Sequence, residues 1–329
     1  MGGDFAPAAP VAGALLALSE LDPDHRVQLV GRESVLREHL TAHLGGEYAA
    51  LAAHAARLDL IDADDVIAMD DKPAAALRGK PNSSMHVGLR LQVAGQSDAF
   101  VSAGNTGAQM AVSTIILRLH EGVQRPAIAT IFPTAHQPIV VLDSGANVDC
   151  SAAELVQFAR LGTAYAESVL GRQNARVGLL NIGEEAEKGN AVAKETHALL
   201  SSSGLNFIGN VEGRDLPRGQ SDRGPFDVVV CDGFTGNVVL KFYEAVAPMM
   251  IALLKQQGVD EKVIGAAFRH LDYSAYGGAP LLGVKGISII AHGKSSARAL
   301  KNAVKVAAQA AASRLDAHIG ERLGEPARS

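Results

Sequence analysis

The chain has 329 residues, 47% hydrophobic and 20% charged, with a formal net charge of -5 and no Trp. That describes a globular protein of one large α/β unit or two lobes, with ample material for a core. The negative balance gives no support to a general nucleic-acid role. Residues 240–329 nevertheless hold 12 Lys/Arg against 7 Asp/Glu, a local +5 that points to an acidic partner or an anionic surface.

The chain opens on Met1-Gly2-Gly3-Asp4-Phe5-Ala6-Pro7, a turn-like sequence of the kind that follows a strand in a doubly wound fold. A helix is predicted at Val11–Leu21, then strands at Arg26–Val30 and Leu58–Ile61. A helix at Ser84–Ala94, a strand at Ala99–Val101 and a helix at Gly107–Leu117 follow. Strands come next at Ile128–Phe132 and Ile139–Leu142, then a helix at Ala153–Leu170, a strand at Val177–Leu180 and a helix at Glu187–Leu200. Phe207–Ile208 and Val228–Val230 read as strands, Asn237–Lys255 as a helix, Ile287–Ile290 as a strand and Ala297–Leu315 as the last helix. Several strands are continuous β-branched runs, the pattern of strands covered on both faces. Strand and helix alternate as in parallel βαβ units. Asp272–Gly286, rich in Gly, Pro and Tyr, reads as a functional loop or lobe junction.

Cys150 and Cys231 are too far apart in sequence for a zinc motif or a disulfide framework. Both read as small buried thiols in a reduced, cytoplasmic setting. Met1–Asp4 carries no basic-then-apolar leader. No run reaches the roughly 18 apolar residues of a membrane span, because Ala245–Leu254 is short and contains Pro248.

Chemistry-bearing residues cluster on loops after strands. Ser102-Ala103-Gly104-Asn105-Thr106-Gly107 follows a strand and opens a helix. Its glycines permit close backbone approach, and helix N-terminal N–H groups receive anions. Asp143-Ser144-Gly145-Ala146-Asn147 repeats the logic, and two such loops at strand carboxyl ends are expected to meet in one crevice. In Asn181–Asn190, Lys188 supplies positive charge for a substrate anion or developing oxyanion. Glu184 or Glu185 serves proton transfer or positions Lys188. Asn210-Val211-Glu212-Gly213-Arg214-Asp215 and Asp232-Gly233-Phe234-Thr235-Gly236-Asn237 are two more such loops, and Lys241 lies one helical turn beyond Asn237. His292 follows the last strand as an acid/base group or donor. From pattern alone the Ser102–Gly107 loop reads equally as an anion site or as an ordinary strand-to-helix turn capped by Asn or Thr; the alternatives are capping for Asp143, a favourable helix start for Glu184 and Glu185, which leaves Lys188 unexplained, and a structural role for His292. The sequence contains no dinucleotide fingerprint, Walker A loop, nucleophile elbow or metal-ligand spacing. No cofactor or metal is therefore expected.

Eight segments together carry a family resemblance: MGGDFAP at Met1–Pro7, Ser83-Ser84-Met85, FVSAGNTGA at Phe100–Ala108, LDSGANVD at Leu142–Asp149, NIGEEAEKG at Asn181–Gly189, FIGNVEGRD at Phe207–Asp215, DVVVCDGFTGNVVLK at Asp227–Lys241 and GGAPLLGVKG at Gly277–Gly286. In this order they closely resemble the bacterial phosphate acyltransferases that use acyl carrier protein, the PlsX family of phospholipid synthesis. The resemblance implies an α/β/α sandwich with a mainly parallel sheet, similar to phosphate acetyltransferases and isocitrate/isopropylmalate dehydrogenases. It implies acyl phosphate formation from acyl carrier protein thioester and inorganic phosphate, feeding a glycerol-3-phosphate acyltransferase at the membrane. It also implies a cytoplasmic homodimer, peripheral at the inner face of the membrane. The whole chain would be one acyl-phosphate synthase unit. Family members usually carry a strand before MGGD and a more basic loop where this sequence has Arg78-Gly79-Lys80-Pro81-Asn82.

On that basis phosphate is expected against the Ser102–Gly107 and Asp232–Asn237 loops. The expected catalytic residues are Lys188, Asn105, His292 and Asn237. Ser102, Gly104, Thr106, Asp143, Asn147, Glu184, Asn210, Asp232, Thr235 and Lys241 are expected to bind substrate. Lys294, Arg298, Lys301 and Lys305, on one face of the last helix, are expected to dock the acidic carrier or anionic lipid. Val246–Leu254 and Leu281–Val284 are expected to touch a membrane, a second subunit or the core. The rivals are a phosphate acetyl- or butyryltransferase using coenzyme A and an NAD-dependent β-decarboxylating dehydrogenase. A non-catalytic scaffold is a third.

Overall fold

The computed structural model describes residues 1–268 and 277–324, which divide into two compact units. The first comprises residues 1–119 and 277–316, the second residues 120–268 and 317–324.

In chain order the first unit begins with α1 (Ala8–Glu20), β1 (Val27–Gly31), α2 (Glu33–Leu44), a 3-10 turn (Ala49–Arg57) and β2 (Leu58–Asp62). It continues with α3 (Pro73–Gly79), α4 (Ser84–Val93), β3 (Phe100–Ser102) and α5 (Thr106–Ile116). The second unit holds β4 (Ala127–Ile128), β5 (Thr130–Phe132), β6 (Ile139–Leu142), α6 (Ala152–Ser168), β7 (Arg176–Asn181), α7 (Ala191–Ser201) and β8 (Asn206–Glu212). A small hairpin, β9 (Gln220–Ser221) and β10 (Gly224–Pro225), precedes β11 (Val228–Val230), α8 (Gly233–Gln256) and α9 (Glu261–Phe268). The chain then supplies β12 (Ala279–Leu282), β13 (Ser288–Ile290) and α10 (Ala297–Ala312) to the first unit, and ends in α11 (Leu315–Leu323).

In the first unit β1 pairs parallel with β2, and β13 pairs parallel with β3 and antiparallel with β12. Val11, Leu15 and Leu18 of α1 pack with Leu29, Leu36 and Leu58. On α10, Leu300, Ala303, Ala307 and Ala310 recur at three- and four-residue spacing and are all buried, forming one apolar stripe. Arg57 caps the carboxyl end of α1, donating to the carbonyls of Leu18 and Asp22.

The second unit is built on a five-stranded sheet in the order β5-β6-β11-β7-β8. All its neighbours are parallel except β5, which runs against β6. Every residue of β6 and β11 is buried, as their continuous β-branched sequences require. On one face Ile139 and Val141 join Val229, Phe226 and Leu240 of α8 in a core cluster. The other face meets α6, where Gly162 permits close contact: a Cβ there would stand 2.7 Å from Leu142 Cδ2 and from Val228 Cγ1. Helices thus cover both faces, an α/β/α arrangement within this unit. A capping box starts α6, with Ser151 and Glu154 each bonded to the other's backbone.

The strand predicted over Ile128–Phe132 is interrupted at Ala129. Within the segment expected as a loop, Asp272–Gly286, residues 272–276 lie outside the described residues and Ala279–Leu282 forms β12. The expectation that no segment is long and apolar enough to cross a membrane is corrected by α8. This helix continues through Pro248 for 24 residues and satisfies that test by length and composition. Only 6% of its most apolar window is buried. It starts four residues earlier than expected, because Asp232 caps it and Gly233 and Gly236 lie inside its first turn.

Candidate active site

Parallel strands deliver their following loops to one edge of a sheet. In the second unit that edge gathers the loops after β6, β11 and β7 and the end of β8. It therefore collects Asp143–Asn147, Asp232–Asn237, Asn181–Asn190 and Asn210–Asp215.

Asp143 is the keystone of the first loop. It is fully buried, and its Oδ1 accepts from the backbone N–H groups of Ile128 (3.0 Å) and Ala146 (3.1 Å). Its Oδ2 accepts from Asn147 N (2.6 Å) and Asn147 Nδ2 (2.9 Å). Burial pushes its carboxyl above the ordinary aspartate value, and these donors hold back part of the rise. Asn147 also donates to the Pro126 carbonyl at 2.8 Å and is itself buried. Asp143 and Asn147, expected to bind substrate, spend these groups within the protein and shape the loop instead.

The start of α8 locks onto this loop. Gly233 N donates to Asn147 O at 2.7 Å, and a Cβ at Gly233 would sit 2.6 Å from that same oxygen. A Cβ at Gly236 would overlap the Asp143 carbonyl. Glycine is required at both positions because backbone meets backbone. Asp232 and Thr235 satisfy each other: Asp232 accepts from Thr235 N (2.7 Å) and Thr235 Oγ1 (2.8 Å) as the helix cap. Asn237 is exposed, and its side chain lies beside Gly145 of the Asp143 loop. Lys241 is exposed and bonds Glu244 at 2.8 Å.

The Asn181–Asn190 loop leaves Lys188 exposed at the same edge. Asn181 accepts from Ile182 N and donates to Lys188 O at 3.2 Å, folding the loop back on itself. Asn190 caps α7. Buried Asn210 donates to the Glu185 carbonyl at 2.7 Å, so it braces this loop from β8. Glu184 and Glu212 flank Arg214, at 4.0 and 3.2 Å. Sequence reasoning missed Arg223, which donates to the carbonyls of Glu184 (3.1 Å) and Ile208 (3.4 Å) and lies over Gly209. Gly209 has φ +102° inside β8, and a lone strand glycine is the signal that could have revealed this close approach.

Burial raises Cys231 well above its ordinary value and Cys150 to about 12.

In the first unit Ile290 of β13 stands beside Ser102 of β3, so the two strands end level and their loops share an edge. Ser102 Oγ accepts from Gly104 N at 3.1 Å, and Gly104 is packed under Met85. Asn105, expected to be catalytic, is buried and fully engaged. Its Oδ1 caps α5 at Ala108 N (3.0 Å), and its Nδ2 donates to the carbonyls of Met69 and Asp71, both at 2.9 Å. That side chain is a brace with no spare donor for a phosphate oxygen. Thr106 is exposed at the helix start, and His292 is exposed on the neighbouring loop. Of the basic face on α10, Lys301 and Lys305 both bond Glu20 at 2.7 Å, which holds the Glu20 carboxyl below its usual range. The expected docking stripe is thereby partly neutralised; Lys294 and Arg298, also expected in it, are exposed.

The site is thus an edge that presents exposed Lys188 and Asn237 above a doubly covered parallel sheet, a protein class suited to holding anions and acyl oxyanions. A family model described as "Fatty acid synthesis protein" matches residues 1–317. The phosphate acyltransferase of Heliobacterium modesticaldum is 45% identical over 98% of this chain and 96% of its own length. That of Desulfitobacterium hafniense strain Y51 is 46% identical over 93% and 90%. The chain belongs to the phosphate acyltransferase family, the fatty acid synthesis protein family of that model. Among solved structures, a phosphotransacetylase from Streptococcus pyogenes aligns with TM-score 0.55 at 16% identity, over 92% of this chain and 98% of the other. The EutD phosphotransacetylase of Staphylococcus aureus gives 0.54 at 15%, over 92% and 99%. These two share the fold.

Proposed function

We propose that this protein forms acyl phosphate from an acyl thioester of acyl carrier protein and inorganic phosphate, as one synthase unit feeding glycerol-3-phosphate acylation. The observation that carries the reading is the sheet edge at which exposed Lys188 and Asn237 stand with the loops after β6, β7 and β11. Phosphate then attacks the thioester carbonyl directly. A phosphate oxygen bonds to the carbonyl carbon, the C–S bond breaks, and the carrier leaves as a thiolate that takes up a proton. Lys188 offsets the phosphate and oxyanion charge, with Asn237 as a side-chain donor. Thr106 and the first N–H groups of α5 form a second anion-receiving loop on the first unit. His292, Lys294 and Arg298 contact the acidic carrier.

The test is phosphate-dependent release of free carrier thiol, with the acyl phosphate trapped by hydroxylamine. Turnover with acyl-coenzyme A and none with acyl carrier protein would overturn the carrier assignment. NAD reduction would favour the dehydrogenase reading.

The exposed residues Phe234, Val238, Phe242, Met249 and Leu253 recur at four- and seven-residue spacing along α8. A contiguous apolar stripe of this kind calls for a cover, and a second copy of the chain is the cover proposed here. Phe242→Glu is expected to shift the sedimenting species from dimer to monomer at micromolar concentration. A wild-type monomer that instead floats with anionic vesicles would assign the stripe to the membrane surface.

A further inference from the structure

Lys188 is the exposed ammonium of the candidate site, yet its backbone and its stem both rest on one tight turn, Gly183–Lys188. Its N–H donates to the Glu185 carbonyl at 3.1 Å, and its own carbonyl accepts from Asn181 Nδ2 at 3.2 Å. Its stem lies over Gly183: a Cβ built there would stand 2.9 Å from Lys188 Cγ and 3.3 Å from Lys188 Cδ. An ammonium on a flexible stem is a well-placed charge only when such supports are themselves fixed.

Two side chains from outside the loop fix them. Asn210 Nδ2 donates to the Glu185 carbonyl at 2.7 Å, the same oxygen that receives the Lys188 N–H. Arg223 Nη2 donates to the neighbouring Glu184 carbonyl at 3.1 Å, and Arg223 Nη1 reaches the Ile208 carbonyl at 3.4 Å. Ile208 is the extra residue of a bulge in β8, because the pairing with β7 steps from Val177–Phe207 to Gly178–Gly209. A bulge leaves its extra residue outside the ladder, and here the guanidinium takes up that residue's carbonyl. Gly209 makes room for it, since a Cβ there would overlap Arg223 Nη1. The turn of the β9–β10 hairpin holds the arginine's backbone, with Arg223 N donating to Ser221 Oγ at 3.2 Å and Gly224 at φ +111°. The planar fork of a guanidinium suits this task, because its terminal nitrogens can bridge two carbonyls on separate segments.

We propose that Arg223 is a positioning residue for acyl transfer to phosphate. By bridging the Glu184 carbonyl to the bulge in β8, it holds the Gly183–Lys188 turn, and so the Lys188 ammonium, where the reacting phosphate meets it, a role that rests on the reading of Lys188 given above. Misplacing a reacting group by about 1 Å can cost ~10²-fold in rate, and losing one of the two outside supports is expected to cost about 10-fold.

The test is a double-mutant cycle on the full chain, with Arg223→Ala, Lys188→Ala and the pair assayed for acyl phosphate formation from acyl thioester and phosphate. Arg223→Ala is expected to lower kcat/KM about 10-fold, through whichever of kcat or phosphate KM Lys188→Ala alters, with Tm within ~2 °C of wild type. In the pair the arginine should add less than about twofold to the loss seen in Lys188→Ala, because no ammonium is left to position. Unchanged turnover in Arg223→Ala while Lys188→Ala loses activity overturns the role of Arg223 alone, as does a fully additive loss in the pair. Wild-type turnover in Lys188→Ala overturns the role of Lys188 and that of Arg223 with it. Should Arg223→Ala fail to fold, Arg223→Gln, which keeps one neutral NH2 group, goes through the same cycle with the same criteria.

Discussion

Asp143→Asn is expected to lower the unfolding free energy by roughly 3 kcal/mol, read by thermal or urea denaturation. The wild-type carboxylate accepts four N–H bonds at a fully buried position. An Asn side chain offers one oxygen and one NH2, so two of those donors would face another donor. Activity should fall with stability, because Asn147 and the start of α8 take their positions from this loop. A Tm within about 2 °C of wild type would refute the keystone role. The sign of the pH effect follows from the direction of the shift. The native carboxyl sits above its unfolded value, so its proton-linked stabilisation is complete below about pH 4 and is lost as pH rises through the raised native value. The wild-type advantage over Asp143→Asn should therefore be largest in acid and narrow toward neutral pH.

Lys188→Ala is expected to lower kcat/KM for acyl thioester and phosphate by about 10²-fold or more, the usual cost of removing one donor to a developing oxyanion. Lys188 is exposed, so its removal should leave Tm within about 1–2 °C of wild type. Lys188→Arg keeps the charge and should recover part of the loss. A raised KM for phosphate at constant kcat would place the ammonium on bound phosphate alone. A fall in kcat at constant KM would place it on the transition state. Unchanged turnover in Lys188→Ala would remove it from the mechanism.

The contrast between Asn105 and Lys188 shows where sequence reading reaches its limit. Both stand on Gly-rich loops after a strand, and both look like donors to an anion. Asn105 is consumed by the carbonyls of Met69 and Asp71, more than thirty positions earlier in the chain. No local pattern announces that contact. Asp143 and Asn210 follow the same course: polar residues at strand ends that look like ligand contacts brace the loops instead. The short helix Glu33–Leu44 escaped prediction because it buries only Leu36, too little for a legible stripe. Strand Ala279–Leu282 was hidden by its Gly- and Pro-rich surroundings.

By itself the sequence determined the elements whose local pattern and burial agree. Ile139–Leu142 and Val228–Val230 fold with the bounds their unbroken apolar runs imply, because a strand covered on both faces has no polar side to disguise it. It also determined that the Gly- and Asn-bearing loops follow those strands, and the family to which the chain belongs. Only the tertiary structure decided which loop residues are free to meet a substrate. Hydrogen-bond demand in a buried loop is met by whichever group arrives from elsewhere in the chain, and such arrivals depend on packing between distant segments.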